Sequence, residues 1–182
     1  MSYAVHDRNS APEAARPLLE QAEGNYGFVP NILGVMANAP ALLEGYLALS
    51  EIFEKTGFSA TEKQVVLLAV SSENGCGYCK AAHTGIARMH KVDEKVLQAI
   101  ENGESLPDEK LDALYTFTRR MVETRGRPGP GDLGAFFAAG YTEAQVQEVI
   151  LGIGMKTLSN YNNHIAETPV DEQFGGEQRK AG

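Results

Sequence analysis

The chain is poor in cysteine and in basic residues. It has 2 cysteines in 182 residues, too few for the disulfide framework of a small secreted domain. Lys and Arg number 16 against 24 acidic residues, which argues against a nucleic-acid or anionic-membrane partner, because both bind concentrated positive charge. No apolar run reaches membrane-spanning length, and the N-terminus has no signal-peptide core. These absences predict a cytoplasmic protein with no nucleic-acid partner and no membrane partner.

The chain does contain sequence patterns that are typical of helices. Apolar residues make up 43% of it, and its length suits one hydrophobic core. Capping-box spacing begins at Ser59 and again at Thr142, each time before a largely apolar run, and alternating strand patterns are absent. The sequence therefore predicts an all-α, single-domain helical bundle over residues 1–182, with mobile ends at 1–10 and 169–182.

Two stretches of the chain resemble each other at an offset of 83 residues. Aligning "GFSATEKQVVLLAVSSENGCGYC" with "GYTEAQVQEVILGIGMKTLSNYN" gives five identities. This indicates either an internal duplication or a chance likeness between two buried helices. If it is a duplication, Cys76 and Cys79 face Ser159 and Asn162, so the chemistry belongs to the first copy.

Both cysteines lie in the stretch "ENGCGYCKAAH". If this stretch is helical from about Gly75, then Cys76, Cys79 and His83 share one face of the helix. A thiol at a helix N-terminus has a lowered pKa, which on this argument alone favours Cys76 as the more acidic thiol. His83 lies one turn beyond Cys79 and could serve it as a base. Closing a disulfide would distort the first turn, because Cβ atoms three residues apart lie roughly 5–6 Å from each other on a helix.

Two other interpretations of the motif remain open. The cysteines could simply be small buried hydrophobic residues. They could also bind zinc together with His83, with His164 as a fourth ligand. Three ligands on one short helical stretch hold a tetrahedral ion poorly, so the pattern favours redox chemistry without a metal.

The motif "AVSSENGCGYCKAAH" resembles the alkyl hydroperoxidase D-like, or carboxymuconolactone decarboxylase-like, family. The stretches "YGFVPNILGVMANAPALLEGYL" and "NYNNHIAETPVDEQF" look like its peroxidase-related branch, and the resemblance runs from about Tyr26 to Phe174. It implies an all-α fold, assembly as a homotrimer or homohexamer, and no metal or bound organic cofactor.

The resemblance also implies roles for the motif residues. Cys79 would attack the peroxide and become a sulfenic acid, and Cys76 would resolve it to a disulfide. His83 would carry protons to and from Cys79. On this basis we predict a thiol-dependent peroxidase that reduces small hydroperoxides and is restored by an external dithiol or protein reductant. The alternatives are a carboxymuconolactone decarboxylase-like enzyme and a redox-sensing binding protein that uses the same disulfide.

Two positions depart from the family pattern. Gln64 stands where the family usually has a glutamate, and Tyr78 stands where it often has a histidine. Gln cannot accept a proton and Tyr titrates near 10, so we expect a shortened or rerouted proton relay. Glu73 is a candidate substitute, or else an acid that interacts with the helix dipole. Gln64 could still orient a side chain, and Tyr78 could donate a hydrogen bond to the peroxide or belong to the core.

Overall fold

The computed structural model describes residues 3–174, so the outermost parts of the two ends predicted to be mobile, 1–2 and 175–182, lie outside the described residues. Within 3–174 the chain forms helices and no strand, and the predicted all-α class is confirmed. The helices are α1 (Arg16–Tyr26), α2 (Asn31–Met36), α3 (Pro40–Glu54), α4 (Ala60–Glu73), α5 (Gly77–Met89), α6 (Glu94–Asn102), α7 (Glu109–Glu123), α8 (Pro130–Ala138) and α9 (Glu143–Ala166). None of the helices in this range has both the length and the hydropathy needed to cross a bilayer.

Helix α4 is the centre of the bundle. It packs against α5, α7 and α9, and residues 64–71 are all buried. A helix that is apolar nearly all round can be accommodated only in such a position. Both predicted capping boxes are present, at Ser59 with Glu62 and at Thr142 with Gln145. They satisfy amides at the starts of α4 and α9. The internal duplication itself stays a prediction.

The apolar side chains form two clusters. The larger joins α4, α6, α7 and α9, and it contains stacked rings of Phe117, Phe136 and Tyr141. The smaller joins α1, α2, α3 and the start of α5, and it includes both cysteines. Tyr46 packs against both clusters, so the thiols lie near the seam between them.

Helix α9 comes very close to α3 and α4 at Gly152. A Cβ added there would lie 2.8 Å from Val66 Cγ1 and 2.9 Å from Phe53 Cε2. Real Cβ contacts are essentially never this short, so the contact needs glycine. This approach directs the next turn of α9 towards α5 and its cysteines.

Both ends of the described chain are attached to α2 by hydrogen bonds. The His6 amide donates to Gly34 O (3.1 Å), and the Asn31 amide donates to Asp171 Oδ1 (2.9 Å). Asp171 is itself buried. These contacts give the positions of the two end segments. The mobility of the ends stays a prediction.

Candidate active site

The turn between α4 and α5 positions the first cysteine. Gly75 has a φ of 69°, and the Cys76 amide donates to Ser71 O (2.9 Å), which is the bonding pattern that ends a helix at a left-handed glycine. Cys76 is then the N-cap residue of α5, with φ −83° and ψ 98°, and the helix begins at Gly77. The predicted start at about Gly75 was therefore two residues early, because the sequence pattern did not register this turn.

Both thiols are free and buried, each about 1% exposed. As the N-cap residue, Cys76 projects its side chain over the first turn, where Cys79 is the third helical residue. The Cys76 thiol donates a hydrogen bond to the Cys79 sulfur, which lowers the pKa of Cys79 and raises that of Cys76. The two cysteines are thus a donor–acceptor pair rather than two equivalent thiols.

Helix α9 supplies further stabilisation for a thiolate at Cys79. Asn163 Nδ2 donates to Cys79 Sγ at 3.3 Å. In contrast, Ser159 Oγ, 3.7 Å from the sulfur, accepts from the thiol and donates its own proton to Lys156 O. After the hydrogen bond from Cys76, the positive charge of Lys156 is the next cause that lowers the pKa of Cys79, while burial opposes both. From the helix dipole alone, Cys76 was expected to be the more acidic thiol. The structure favours Cys79, because these groups surround its sulfur.

His83 is held at both ring nitrogens. Nδ1 lies 3.1 Å from Gln64 Oε1, and Nε2 lies 3.0 Å from Lys156 Nζ. An ammonium group can only donate, so Nε2 accepts and the ring proton is assigned to Nδ1, where it is donated to Gln64. Burial, followed by the charge of Lys156, lowers the pKa of His83 well below 6.5. The ring is therefore neutral at physiological pH.

Lys156 is one of the site residues that sequence reasoning missed. Its side chain is buried in the middle of α9, about 1% exposed, and it reaches His83 over 73 residues of chain. A signal did exist, because Lys156, Ser159, Asn160 and Asn163 are spaced at helical intervals and so share one face of α9. All four are buried. Such a buried polar stripe indicates a site rather than a solvated face.

A cavity of about 190 Å³ opens beside these residues. Of the two cysteines, Cys79 is the one among its described lining residues, and His83, Gln64 and Lys156 line it as well. Much of the remaining wall is apolar, contributed by Ile32, Leu33, Phe53, Leu67, Ile86 and Met155. A small organic molecule could therefore reach the Cys79 sulfur while Cys76 stays behind it.

Tyr78, between the cysteines, uses its hydroxyl to hold the C-terminal segment. The hydroxyl donates to Asp171 Oδ2 and accepts from the Ile32 amide (3.3 Å). Burial, followed by the hydrogen bond to Asp171, raises the pKa of Tyr78. Its ring lines the cavity, but its proton is engaged by Asp171, which favours the structural interpretation of this residue.

Glu73 pairs with a residue of another helix. Its Oε2 accepts from Arg119 Nε at 3.0 Å, and within the described residues it does not line the cavity. The structure therefore brings Gln64, but not Glu73, to His83. His164 is exposed on α9, with its ring 6.2 Å from that of Tyr161.

The zinc interpretation finds no matching geometry in residues 3–174. No group of three or more His, Cys, Asp or Glu side chains there is arranged to hold a metal ion. A zinc site would also need His83 as a ligand, and both ring nitrogens of His83 have other hydrogen-bond partners.

Comparison with known proteins finds one family match and several structures of similar fold. Residues 40–107 match the model of the Carboxymuconolactone decarboxylase family. The alkylhydroperoxidase AhpD core of an uncharacterized peroxidase-related protein from Ralstonia eutropha JMP134 has a similar fold, with a TM-score of 0.81, 20% identity, and 94% of this chain and 93% of that chain covered. For an uncharacterized peroxidase-related protein from Silicibacter sp. TM1040 the TM-score is 0.79, at 18% identity and 98% and 97% coverage.

The debrominase Bmp8, in complex with 2,3,4-tribromopyrrole, is also similar, with a TM-score of 0.80, 19% identity, and 96% of this chain and 94% of that chain covered. No curated protein matches the chain. The chain shares the fold of these AhpD-like structures. The match over residues 40–107 and the shared fold support the predicted family assignment.

Proposed function

We propose that the protein is a thiol-dependent peroxidase, an oxidoreductase that reduces small hydroperoxides through a Cys76/Cys79 dithiol–disulfide cycle. The observation that carries this proposal is the asymmetry of the pair. Cys79 faces the cavity with a lowered pKa, and Cys76 lies behind it as the hydrogen-bond donor. A peroxidase of this kind needs an accessible thiolate and a second thiol within reach of it.

The cycle has three steps. The Cys79 thiolate attacks the terminal peroxide oxygen, the O–O bond breaks, and a sulfenic acid forms while the other oxygen leaves as an alkoxide that is protonated to the alcohol. The Cys76 thiol then condenses with the sulfenic acid, releasing water and leaving the disulfide. An external dithiol or protein reductant restores both thiols by exchange through a mixed disulfide at Cys79.

The size of the cavity supports an organic substrate. A volume of about 190 Å³ is larger than that of a cavity of about 150 Å³ that binds benzene, so it is enough for a small organic hydroperoxide. Because the cavity wall is largely apolar, burying an alkyl or aryl group there contributes more to the binding free energy than binding hydrogen peroxide does. We therefore expect cumene or tert-butyl hydroperoxide to react faster than hydrogen peroxide.

The first experiment is a thiol count on the reduced protein after a small excess of cumene hydroperoxide. We expect both thiols to disappear with a mass decrease of two hydrogens. In Cys76→Ser a sulfenic acid should be trapped at Cys79, and Cys79→Ser should not react. Thiols that survive the peroxide would refute the proposal.

Three other activities are separated by further readouts. A redox-sensing binding protein would be oxidised once per molecule, whereas a peroxidase consumes many equivalents when dihydrolipoamide or another dithiol is supplied. A dehalogenase would release bromide from 2,3,4-tribromopyrrole, the compound bound to the structurally similar debrominase. A carboxymuconolactone decarboxylase-like enzyme would keep its activity in Cys79→Ser.

We further propose a cytoplasmic homotrimer or homohexamer. The reducing cytoplasm supplies the dithiols that the cycle needs. Three apolar residues on one side of α9 are exposed, Ile150 (51%), Tyr161 (57%) and Ile165 (67%), and a partner subunit would bury them. Light scattering that finds the 19.6 kDa monomer alone would contradict the assembly.

A further inference from the structure

Lys156 places a buried positive charge in the cavity. Its side chain is about 1% exposed, and its hydrogen-bond partner, His83, is neutral. A buried charge is costly unless an opposite charge compensates it. The carboxylate of Glu54 also lines the cavity, but it is paired with Lys63, with Oε2 and Nζ 3.0 Å apart. The Cys79 sulfur lines the same cavity, and the positive charge of Lys156 lowers the pKa of its thiol.

The histidine is a poor proton donor in this arrangement. Its Nδ1 proton is given to Gln64 Oε1, and its Nε2 accepts from Lys156. An amide oxygen cannot take up a proton, and the lowered pKa of His83 keeps the ring from carrying a second one. The mobile proton in this group of side chains is therefore on Lys156.

We propose that Lys156 is the proton donor to the leaving oxygen in the peroxide step, and that His83, fixed by Gln64, positions its ammonium group. The inference rests on the proposed peroxidase function and deepens it. The geometry that carries it is the placement of the Lys156 ammonium and the Cys79 sulfur on the wall of one cavity, with Nζ hydrogen-bonded to His83 Nε2.

The step balances without a proton from solvent. The Cys79 thiolate forms a bond to the terminal oxygen of ROOH, the O–O bond breaks, and RO⁻ takes a proton from Lys156. The products are the Cys79 sulfenic acid, ROH and a neutral Lys156 amine. Cys76 then condenses with the sulfenic acid, forming the disulfide and water. When a dithiol later reduces the disulfide, one of its two protons returns to the amine and the other stays on the Cys76 thiol.

The same burial drives this proton transfer. Before the reaction, thiolate and ammonium compensate each other. Once the thiolate is consumed, the opposite charge left on the cavity wall is the carboxylate of Glu54, which is already paired with Lys63, so transfer of the Lys156 proton to the alkoxide leaves no uncompensated charge buried there. The nucleophile and the proton donor are thus neutralised in one step.

The test compares two oxidants that differ in their leaving group. tert-Butyl hydroperoxide leaves as an alkoxide, a strong base that needs a proton, whereas peracetic acid leaves as acetate, which does not. We would measure the rate of thiol oxidation by each in wild type and Lys156→Met, normalised to the thiolate absorbance. The ratio of the tert-butyl hydroperoxide rate to the peracetic acid rate should fall about 100-fold or more in Lys156→Met.

Two further variants control the comparison. Lys95→Met removes an exposed lysine of α6 and should leave the ratio unchanged. Lys156→Arg keeps the positive charge but holds its proton too tightly to donate it, so it should retain the thiolate and still show a low ratio. Lys156→Gln replaces Lys156→Met if the latter does not fold, as judged by circular dichroism.

The outcomes are distinct. If Lys156→Met slows both oxidants equally, Lys156 only stabilises the thiolate, and the inference is wrong while the peroxidase function stands. A normal ratio in Lys156→Arg would also overturn it. If wild type reacts with neither oxidant, the proposed function fails and the inference fails with it.

Discussion

The close approach of α9 to α3 and α4 can be tested by adding one methyl group. Gly152→Ala would place a Cβ 2.8 Å from Val66 Cγ1 and 2.9 Å from Phe53 Cε2. Val66 is fully buried and Phe53 is about 1% exposed, so neither side chain has free space to move into. We therefore expect the variant to shift α9 or to strain these neighbours.

Two effects of opposite sign set the magnitude. Overpacking a well-packed core typically costs about 1–3 kcal/mol. Replacing glycine by alanine inside a helix gains about 0.5–1 kcal/mol, because alanine loses less backbone entropy on folding. The overpacking cost is the larger over most of this range, so Gly152→Ala should lower the free energy of unfolding by up to about 2.5 kcal/mol. For a chain of this length, each kcal/mol corresponds to about 2–4 °C in Tm.

The same helix offers a matched control. Gly154 is exposed, and a Cβ there would have no atom within 4 Å. Gly154→Ala should therefore be more stable than wild type by about 0.5–1 kcal/mol. Urea unfolding of both variants isolates the steric effect, because the gain in helix propensity is common to them. Equal stabilisation by the two substitutions would refute the packing described for Gly152.

Three further predictions concern the site. Burial lowers the pKa of His83 below 6.5, so the unfolded chain binds a proton there that the folded chain does not. The free energy of unfolding should fall below about pH 6.5, by up to about 1.4 kcal/mol per unit, until the lowered pKa of His83 is reached. Urea unfolding at about pH 5.5 and pH 7 measures this fall in the free energy of unfolding, and the part due to His83 should be absent in His83→Gln. Cys76→Ala removes the hydrogen bond to the Cys79 sulfur, so a thiolate titration should show a raised pKa for Cys79, and an unchanged one would contradict the pairing. Tyr78→Phe leaves the buried carboxylate of Asp171 without this donor, and should lower the free energy of unfolding by about 1.5–3 kcal/mol.

Local sequence pattern was sufficient to predict much of the fold. Capping boxes and apolar periodicity predict where α4 and α9 begin, because these features depend on residues within a turn or two of each other. The start of α5 was misjudged for a local reason as well. The left-handed Gly75 ends α4 with a bonding pattern that leaves Cys76 as a cap. The presence of a glycine next to a cysteine does not by itself show that the glycine ends one helix and the cysteine caps the next.

The site could be predicted only in part. Cys79 and His83 lie one turn apart on α5, so their proximity follows from helix geometry. Lys156 lies 73 residues after His83, and Asn163 lies 84 residues after Cys79. No local sequence pattern indicates which face of α9 packs against α5. The partner of Tyr78 was also hidden, because Asp171 lies 93 residues away in a segment that looked like a loose tail.

The placement of Lys156, Ser159 and Asn163 on the last long helix has a consequence for biosynthesis. During synthesis both cysteines emerge from the ribosome well before α9 is made, and domains fold as their residues emerge. Until α9 packs against α5, the Cys79 sulfur lacks its amide donor and its neighbouring cation. The growing chain therefore carries ordinary thiols, which oxidise less readily than the finished site. In a refolding experiment, the appearance of a reactive thiol would report the docking of the C-terminal helix.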